Sequence, residues 1–188
     1  MNNKIGTGLI AITVAAMAVA GSQQMMMDNP MVGGAAMMAK SDIVTNAMNS
    51  PIHKTLVAAV KAAGLVETLQ SKGPFTVFAP TDNAFKALPD GTVGMLVMPE
   101  NKAMLTKILT YHVVAGKVTS DDLMKAIRKG YGTATLTTVS GGKLCAMFNG
   151  PKNIVLKDEK GGIASISTYD VMQSNGVIHV IDSVLMHN

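Results

Sequence analysis

Residues 73–85, "GPFTVFAPTDNAF", place a short apolar strand directly before the start of a helix. Phe75 to Ala79 form the strand-like run, and Pro80 interrupts it. Thr81 is a residue type that caps helices, so a helix is predicted from there through Ala87. The sequence therefore predicts a sharp strand-to-helix corner at Pro80.

Helical patterns lie on both sides of this corner. Upstream, a helix is predicted from a cap at Ser41 through Met48, and a second one has apolar residues at helical spacing until Gly64. Downstream, residues 95–97 and 104–109 repeat this spacing, and "TSDDLMKAI" (119–127) starts with acidic residues where the helix dipole favours them. Helices thus dominate the first two thirds of the chain.

Strand-like runs dominate the remainder. Two pairs are separated by short glycine-containing turns: 133–139 from 143–148, and 153–157 from 163–167. A final run, "GVIHVIDSVLM" (176–186), is apolar on both faces and is predicted to lie inside the fold. Since the 75–79 strand is inserted among the helices, the predicted class is α+β.

Three stretches together resemble the fasciclin domain family. "TVFAPTDNAF" (76–85) resembles the first family motif, Tyr111-His112 matches its central tyrosine-histidine pair, and "NGVIHVIDSVL" (175–185) resembles its second motif. The three occur in the family's order and spacing, and the resemblance covers residues 41–187.

The resemblance implies a wedge of two β-sheets packed with several α-helices, of the single-domain secreted bacterial type. It implies cell adhesion or the binding of a surface protein or glycan, for instance in an extracellular matrix, and no enzymatic activity or cofactor. In some animal members the tyrosine-histidine region is implicated in integrin binding. The family-motif residues, which are also the candidate interaction residues, are Thr81, Asp82, Tyr111, His112, Asn175, His179 and Asp182.

The N-terminal segment is typical of an export signal. Residues 1–20 contain one cation, Lys4, followed by an apolar stretch that ends in a small-x-small step, so they are predicted to be a cleavable signal peptide. The expected location is secreted or periplasmic, and the alternative is an uncleaved membrane anchor. A formal net charge of +4, with cations spread along the chain, argues against nucleic-acid binding.

Residues 21–40 are predicted to be a flexible Met-rich arm before a fasciclin-like domain at 41–188. Six of the sixteen methionines lie in this arm, without helical or strand period. Because thioethers select Cu(I), an exported Cu(I)-binding protein is an alternative function, although no His or Cys within the arm completes a site. The single cysteine, Cys145, lies in a strand-like run and is given no role.

The enzyme alternative is a hydrolase that uses Asp82 and His112, with His179 and Asp182 as further acid-base candidates. None of the known catalytic motifs places these residues together. Asp82 suits the helix start at Thr81, and His179 has apolar neighbours on both sides. His112 is predicted in a strand over residues 111–115, with a buried, neutral and hydrogen-bonded ring.

Overall fold

A computed structural model describes residues 29–187 of the chain. The strands are β1 (Met31–Val32), β2 (Ala35–Ala36), β3 (Phe75–Pro80), β4 (Val113–Ala115), β5 (Thr133–Thr137), β6 (Lys143–Phe148), β7 (Ile154–Lys157), β8 (Ile163–Gln173) and β9 (Gly176–Ile181). The α-helices are α1 (Ile43–Asn49), α2 (Lys54–Ala63), α3 (Val66–Gln70), α4 (Asp82–Lys86), α5 (Thr92–Leu96), α6 (Lys102–Tyr111) and α7 (Ser120–Lys129). A single 3-10 turn, Pro99–Asn101, precedes α6.

Seven strands are connected in the order β4-β3-β9-β8-β7-β6-β5. The long strand β8 joins two sheets, because residues 163–165 pair with β7 and residues 166–173 pair with β9. The β3–β9 pair is parallel and the other neighbours are antiparallel. A bridge between Val114 and Thr138 connects the two far edges. These two sheets with their helices confirm the predicted α+β wedge.

Two apolar clusters stabilise the two halves of the wedge. One lies between helices α1, α2 and α6 and the sheet that contains β3 and β9. The other lies between α7 and strands β5 to β8, and it includes the fully buried Phe78 and Tyr111. The Tyr111 ring therefore sits inside the second cluster although its backbone belongs to α6.

The local signals around the opening stretch form as predicted. The Thr81 hydroxyl caps α4 by accepting a hydrogen bond from the Ala84 amide. Gly64 ends α2 in the left-handed conformation, with φ 73°. Both predicted hairpins are present as the antiparallel pairs β5–β6 and β7–β8.

The tyrosine-histidine pair ends a helix, so the predicted strand over residues 111–115 is wrong at its start. Helix α6 runs through Tyr111, His112 is its C-cap with φ −82° and ψ −1°, and β4 begins at Val113. Ile108 and His112 are four residues apart on one face of this helix, and the ring bonds to the Ile108 carbonyl. The helix therefore continues two residues beyond the predicted 104–109 run and includes the first residue of the predicted strand.

Residues 29–40, assigned above to the flexible arm, pack against the domain. Strands β1 and β2 form a hairpin, and the side chains of Val32 and Met37 are buried in the first cluster. The folded unit therefore begins before the predicted boundary at residue 41. The predicted signal peptide and the methionines at 25–27 lie outside the described residues.

Strand β8 is longer than predicted and β9 is shorter. β8 continues from the predicted 163–167 run to Gln173, whereas β9 ends at Ile181. The register shifts twice between β8 and β9, and Asp170 has a positive φ of 53°. These irregularities interrupt the alternating pattern on which strand prediction depends. Within residues 29–187, no helix has the length and apolar character needed to cross a membrane.

Candidate functional site

The first motif connects two helices. The Asp82 carboxylate accepts hydrogen bonds from the amides of Thr55, at 2.7 Å, and Lys54, at 3.4 Å. These amides begin α2, so Asp82 caps a helix that precedes it by almost thirty positions, in addition to lying in the first turn of α4. Burial disfavours its ionised form, but the amides outweigh burial and hold the Asp82 pKa below its ordinary value.

Replacing Asp82 with alanine is expected to lower the free energy of unfolding by about 1 kcal/mol, because the first amides of α2 lose their cap. Urea unfolding measures this cost. Since the folded-state pKa of Asp82 is lowered, its contribution is present above the unfolded pKa and is lost as pH falls through the folded pKa.

The matched control is Asp82→Asn, whose side-chain oxygen can still cap α2 but does not titrate. It should retain most of the stability and lose this acid dependence. Equal stability of wild type and Asp82→Ala from pH 3 to pH 7 would contradict the capping role.

The Tyr111 hydroxyl joins α6 to the start of β6 and to the turn between β7 and β8. It donates a hydrogen bond to the Lys143 carbonyl, at 2.7 Å, and accepts one from the Glu159 amide, at 3.2 Å. Burial raises the pKa of Tyr111 to about 12. The phenol is therefore neutral at physiological pH, and the residue holds the β5–β6 and β7–β8 turns to the end of α6.

His112 ties the same helix end to the C-terminal segment. Its Nε2 accepts a hydrogen bond from the Leu185 amide, at 3.0 Å, so the ring proton lies on Nδ1 and is donated to the Ile108 carbonyl, at 2.8 Å. The residue is 2% exposed, and burial lowers its pKa to about 4. The predicted neutral, buried and hydrogen-bonded ring is confirmed.

His179 has the same kind of role in the second motif. The Asp170 amide donates to its Nδ1, at 3.3 Å, and its Nε2 donates to the Val118 carbonyl, at 2.9 Å. The ring stacks on Phe78 with 5.6 Å between the ring centroids. Burial lowers the pKa of His179, so it too is a neutral core histidine.

Asn175 and Asp182 flank β9 and fix its two ends. The Asn175 side chain accepts from the Ile43 amide and donates to the carbonyls of Leu69 and Ser71. Asp182 accepts from the Ser165 amide, at 2.8 Å. Asp82, Tyr111, His112, Asn175, His179 and Asp182 thus join segments that are distant in sequence, whereas the Thr81 side chain caps its own helix.

The four acid-base candidates have different partners in the described part of the chain. The histidine whose charge couples to Asp82 is His53, whereas the carboxylates that act on His112 and His179 are Asp158 and Asp170. The side chain of Asp182 is held by Ser165 and Ser183. This geometry gives the hydrolase alternative no shared acid-base centre.

A feature that the sequence reading missed lies at the end of α7. Tyr131 is 101% exposed and has a positive φ of 53°. The Gly132 amide donates to the Ile127 carbonyl and the Tyr131 amide to the Arg128 carbonyl, which is the bonding pattern of a Schellman cap. Tyr131 therefore occupies the left-handed position that glycine usually fills.

Glycines flank Tyr131, and this pattern was the available signal. A side chain at Gly130 would place its Cβ 2.0 Å from the Thr133 carbonyl oxygen, so close backbone approach requires glycine there. The left-handed position falls one residue later, on tyrosine. The half-buried Cys145, in contrast, lies in β6 as its strand-like run predicted.

Comparison with known proteins places this arrangement in a family. The family model described as Fasciclin domain matches residues 51–187. Protein sll1483 of Synechocystis sp. is 45% identical over 82% of this chain and 78% of its own length. Immunogenic protein MPB70 of Mycobacterium bovis is 34% identical over 79% of this chain and 70% of its own.

A solved structure shares the fold. The FAS1 domain pair from the insect cell adhesion molecule Fasciclin I aligns with a TM-score of 0.69 and 21% identity, over 78% of this chain and 51% of that chain. The chain belongs to the fasciclin domain family, as its motifs predicted. This family includes cell-adhesion and surface proteins.

Proposed function

We propose that this fasciclin-domain protein is exported and binds a protein or glycan at the cell surface, with Tyr131 as a contact residue. The observation that carries the proposal is the full exposure of Tyr131 at a strained backbone position. A bulky residue with positive φ costs about 1 kcal/mol or more. The Tyr131 side chain is fully exposed and makes no packing contribution that would offset this backbone strain. We therefore infer that the residue is present because its side chain binds a partner.

Charge near Tyr131 favours an acidic partner. Arg128 and Lys129, both exposed, lie in the last turn of α7 just before it. Tyrosine and arginine are enriched among residues that dominate binding energy, and a tyrosine ring also stacks on sugars. An acidic glycan or an acidic protein segment fits this combination.

The relatives support a surface location. Fasciclin I, which shares the fold, is described as a cell adhesion molecule. The export part of the proposal rests on residues 1–20, whose pattern is typical of a signal peptide. The motif residues serve internal hydrogen bonds, which leaves the binding role to exposed residues such as Tyr131.

Replacing Tyr131 with glycine should raise stability and weaken binding at the same time. Glycine adopts a positive φ without strain, so the free energy of unfolding should rise by about 1 kcal/mol, less a few tenths for its chain entropy. Loss of an aromatic contact should weaken binding to native cell envelopes at least about tenfold. Urea unfolding and co-sedimentation with envelopes measure the two effects.

Met104→Ala is the matched control, since Met104 is also exposed, at 57%, but lies on α6. It should bind envelopes like the wild type. A Tyr131→Gly protein that binds as tightly as the wild type would contradict the assignment of Tyr131 as a contact residue. This result would not bear on the proposal that the protein is exported.

A further inference from the structure

A cleft of about 470 Å³ lies along one face of α7. Three of its lining residues, Ser120, Met124 and Arg128, follow one another at a spacing of four, which places them on one side of the helix. The remaining lining comes mainly from the segment that leads into β7 and from β8, with Lys152, Asn153, Ile154 and Tyr169. Small-molecule sites typically have volumes of about 300 to 1,000 Å³, so the cleft has the size of a ligand site.

The side chains that line the cleft include two cations and no acid. Arg128 is exposed, and its guanidinium carbon lies 6.0 Å from the centre of the Phe148 ring, a distance at which cation–π attraction acts. Within residues 29–187, neither Arg128 nor Lys152 forms an ion pair with a carboxylate. Because a planar guanidinium binds a carboxylate through two parallel hydrogen bonds, the Arg128 end of the cleft fits an anionic group.

Tyr169 supplies a hydroxyl donor in a fixed position. Its oxygen accepts a hydrogen bond from the Ile154 amide, at 2.8 Å, and its ring packs edge-on against His179 with 6.3 Å between the ring centroids. The hydroxyl proton has no acceptor in the part of the chain that the structure describes. This half-buried phenol can therefore donate a hydrogen bond to a ligand in the cleft.

Ser120 supplies an acceptor at the other end of the helix face. Its hydroxyl donates to the Asp170 carboxylate, whose other oxygen accepts from the Ser120 amide at 2.7 Å. The Ser120 oxygen keeps its lone pairs for a donor in the cleft. Eight residues, or about 12 Å along the helix axis, separate Ser120 from Arg128, so the charge of Asp170 lies away from the cationic end. A ligand is thereby oriented with its anionic group towards Arg128.

We propose that this cleft binds one acidic sugar unit of a cell-surface glycan. A uronic acid has a carboxylate for Arg128 and hydroxyl groups that can accept from Tyr169 and donate to Ser120. Its apolar ring face fits the Met124 side chain, which lies between the two ends of the cleft. The assignment deepens the proposed surface function and rests on it for the source of the sugar.

An acidic peptide strand fits this cleft less well. Strand β7, which borders the cleft, is already paired with β6 and β8, and the amide of its first residue, Ile154, is bound by the Tyr169 hydroxyl. An added strand would find no free backbone edge there. A few polar side chains beside apolar ones are instead typical of sites for small polar ligands.

The test is an NMR titration of the purified ¹⁵N-labelled protein with methyl galacturonide, beside methyl galactoside as a neutral sugar and acetate as a bare carboxylate. We expect the largest amide shifts at the end of α7 and in the segment before β7. Affinity for the galacturonide should exceed that for either comparison probe at least about tenfold. Arg128→Gln removes the charge and the paired donors at an exposed position, so it should weaken galacturonide binding at least about tenfold and keep the wild-type Tm.

Lys129→Gln is the matched control, because it removes the same charge at the next position of α7, which does not line the cleft. It should bind the galacturonide like the wild type. Equal galacturonide affinity in wild type and Arg128→Gln would overturn the proposal. Equal affinity of the wild type for galacturonide and acetate would overturn it as well, since the cleft would then recognise charge without the sugar.

Envelope binding separates this proposal from the surface function. A wild type that binds envelopes but not the galacturonide would refute the sugar site and leave the surface function supported. A wild type that binds the galacturonide at the cleft but no envelopes would support the sugar site and refute the surface function.

Discussion

Replacing His112 with alanine is expected to lower the free energy of unfolding by about 3 to 5 kcal/mol. The ring fills space in the core at 2% exposure, so its removal leaves a cavity. It also leaves the buried amide of Leu185 without its acceptor and the Ile108 carbonyl without its ring donor. The cavity and the unpaired amide add to each other.

Urea unfolding of His112→Ala and His112→Gln separates these two causes. Glutamine can place an oxygen near the Leu185 amide, so the second variant should lose about half as much stability as the first. Alanine and glutamine variants within about 0.5 kcal/mol of the wild type would show that the ring is not a structural element.

The same ring makes stability depend on pH. Its pKa is lowered to about 4 in the folded protein, whereas an unfolded histidine titrates near 6.5. As pH falls, His112 is protonated in the unfolded protein before it is protonated in the folded one. Its contribution to stability is therefore complete above about pH 7 and declines as pH falls towards 4. The total loss is on the order of 3 kcal/mol. His53 and His179 change in the same direction, so His112→Gln should weaken this dependence without abolishing it.

Asn175→Ala is the second large effect, with an expected loss of about 3 kcal/mol. The Asn175 side chain is buried and makes three hydrogen bonds to main-chain groups, at 2.7 to 3.0 Å. Its removal leaves the Ile43 amide at the start of α1 and the Leu69 carbonyl at the end of α3 without this hydrogen-bond partner. Guanidinium unfolding measures the loss.

Asn153→Ala is the matched control, because Asn153 is an exposed asparagine in the loop before β7. It should change stability by less than about 0.5 kcal/mol. If Asn175→Ala were no more destabilising than this control, the hydrogen bonds of Asn175 would not hold the helical layer to the β8–β9 turn.

Helix caps, helix ends and hairpin turns could be predicted from the sequence, because each depends on residues that are neighbours in the chain. The cap at Thr81, the end of α2 at Gly64 and the two hairpins each depend on a few neighbouring residues, and each formed as predicted. The sequence predicts a strand over residues 111–115, because the apolar residues from Tyr111 to Ala115 fit the spacing of a helix and that of a strand equally well. The structure assigns Tyr111 to the helix. In the structure His112 is the C-cap of α6, and its ring accepts a hydrogen bond from the Leu185 amide, a contact that neighbouring residues in the sequence do not reveal.

The partners of the candidate residues could not be read from the sequence, because the fold alone brings them together. Apolar neighbours predicted burial for His112 and His179, but the bonds to Leu185 and Val118 span 73 and 61 positions. Asp82 was expected to serve its own helix, and it also caps α2. The strained position of Tyr131 likewise depends on the folded backbone.

The central claim is that the motif residues build the fold while Tyr131 contacts the partner. Envelope binding per folded molecule, measured for wild type, Tyr131→Gly and His112→Gln beside their urea stabilities, tests it most directly. We expect Tyr131→Gly to be more stable than the wild type and to bind at least about tenfold more weakly. We expect His112→Gln to be less stable and to bind in proportion to its folded fraction. A folded His112→Gln protein that does not bind, together with a Tyr131→Gly protein that does, would contradict the claim.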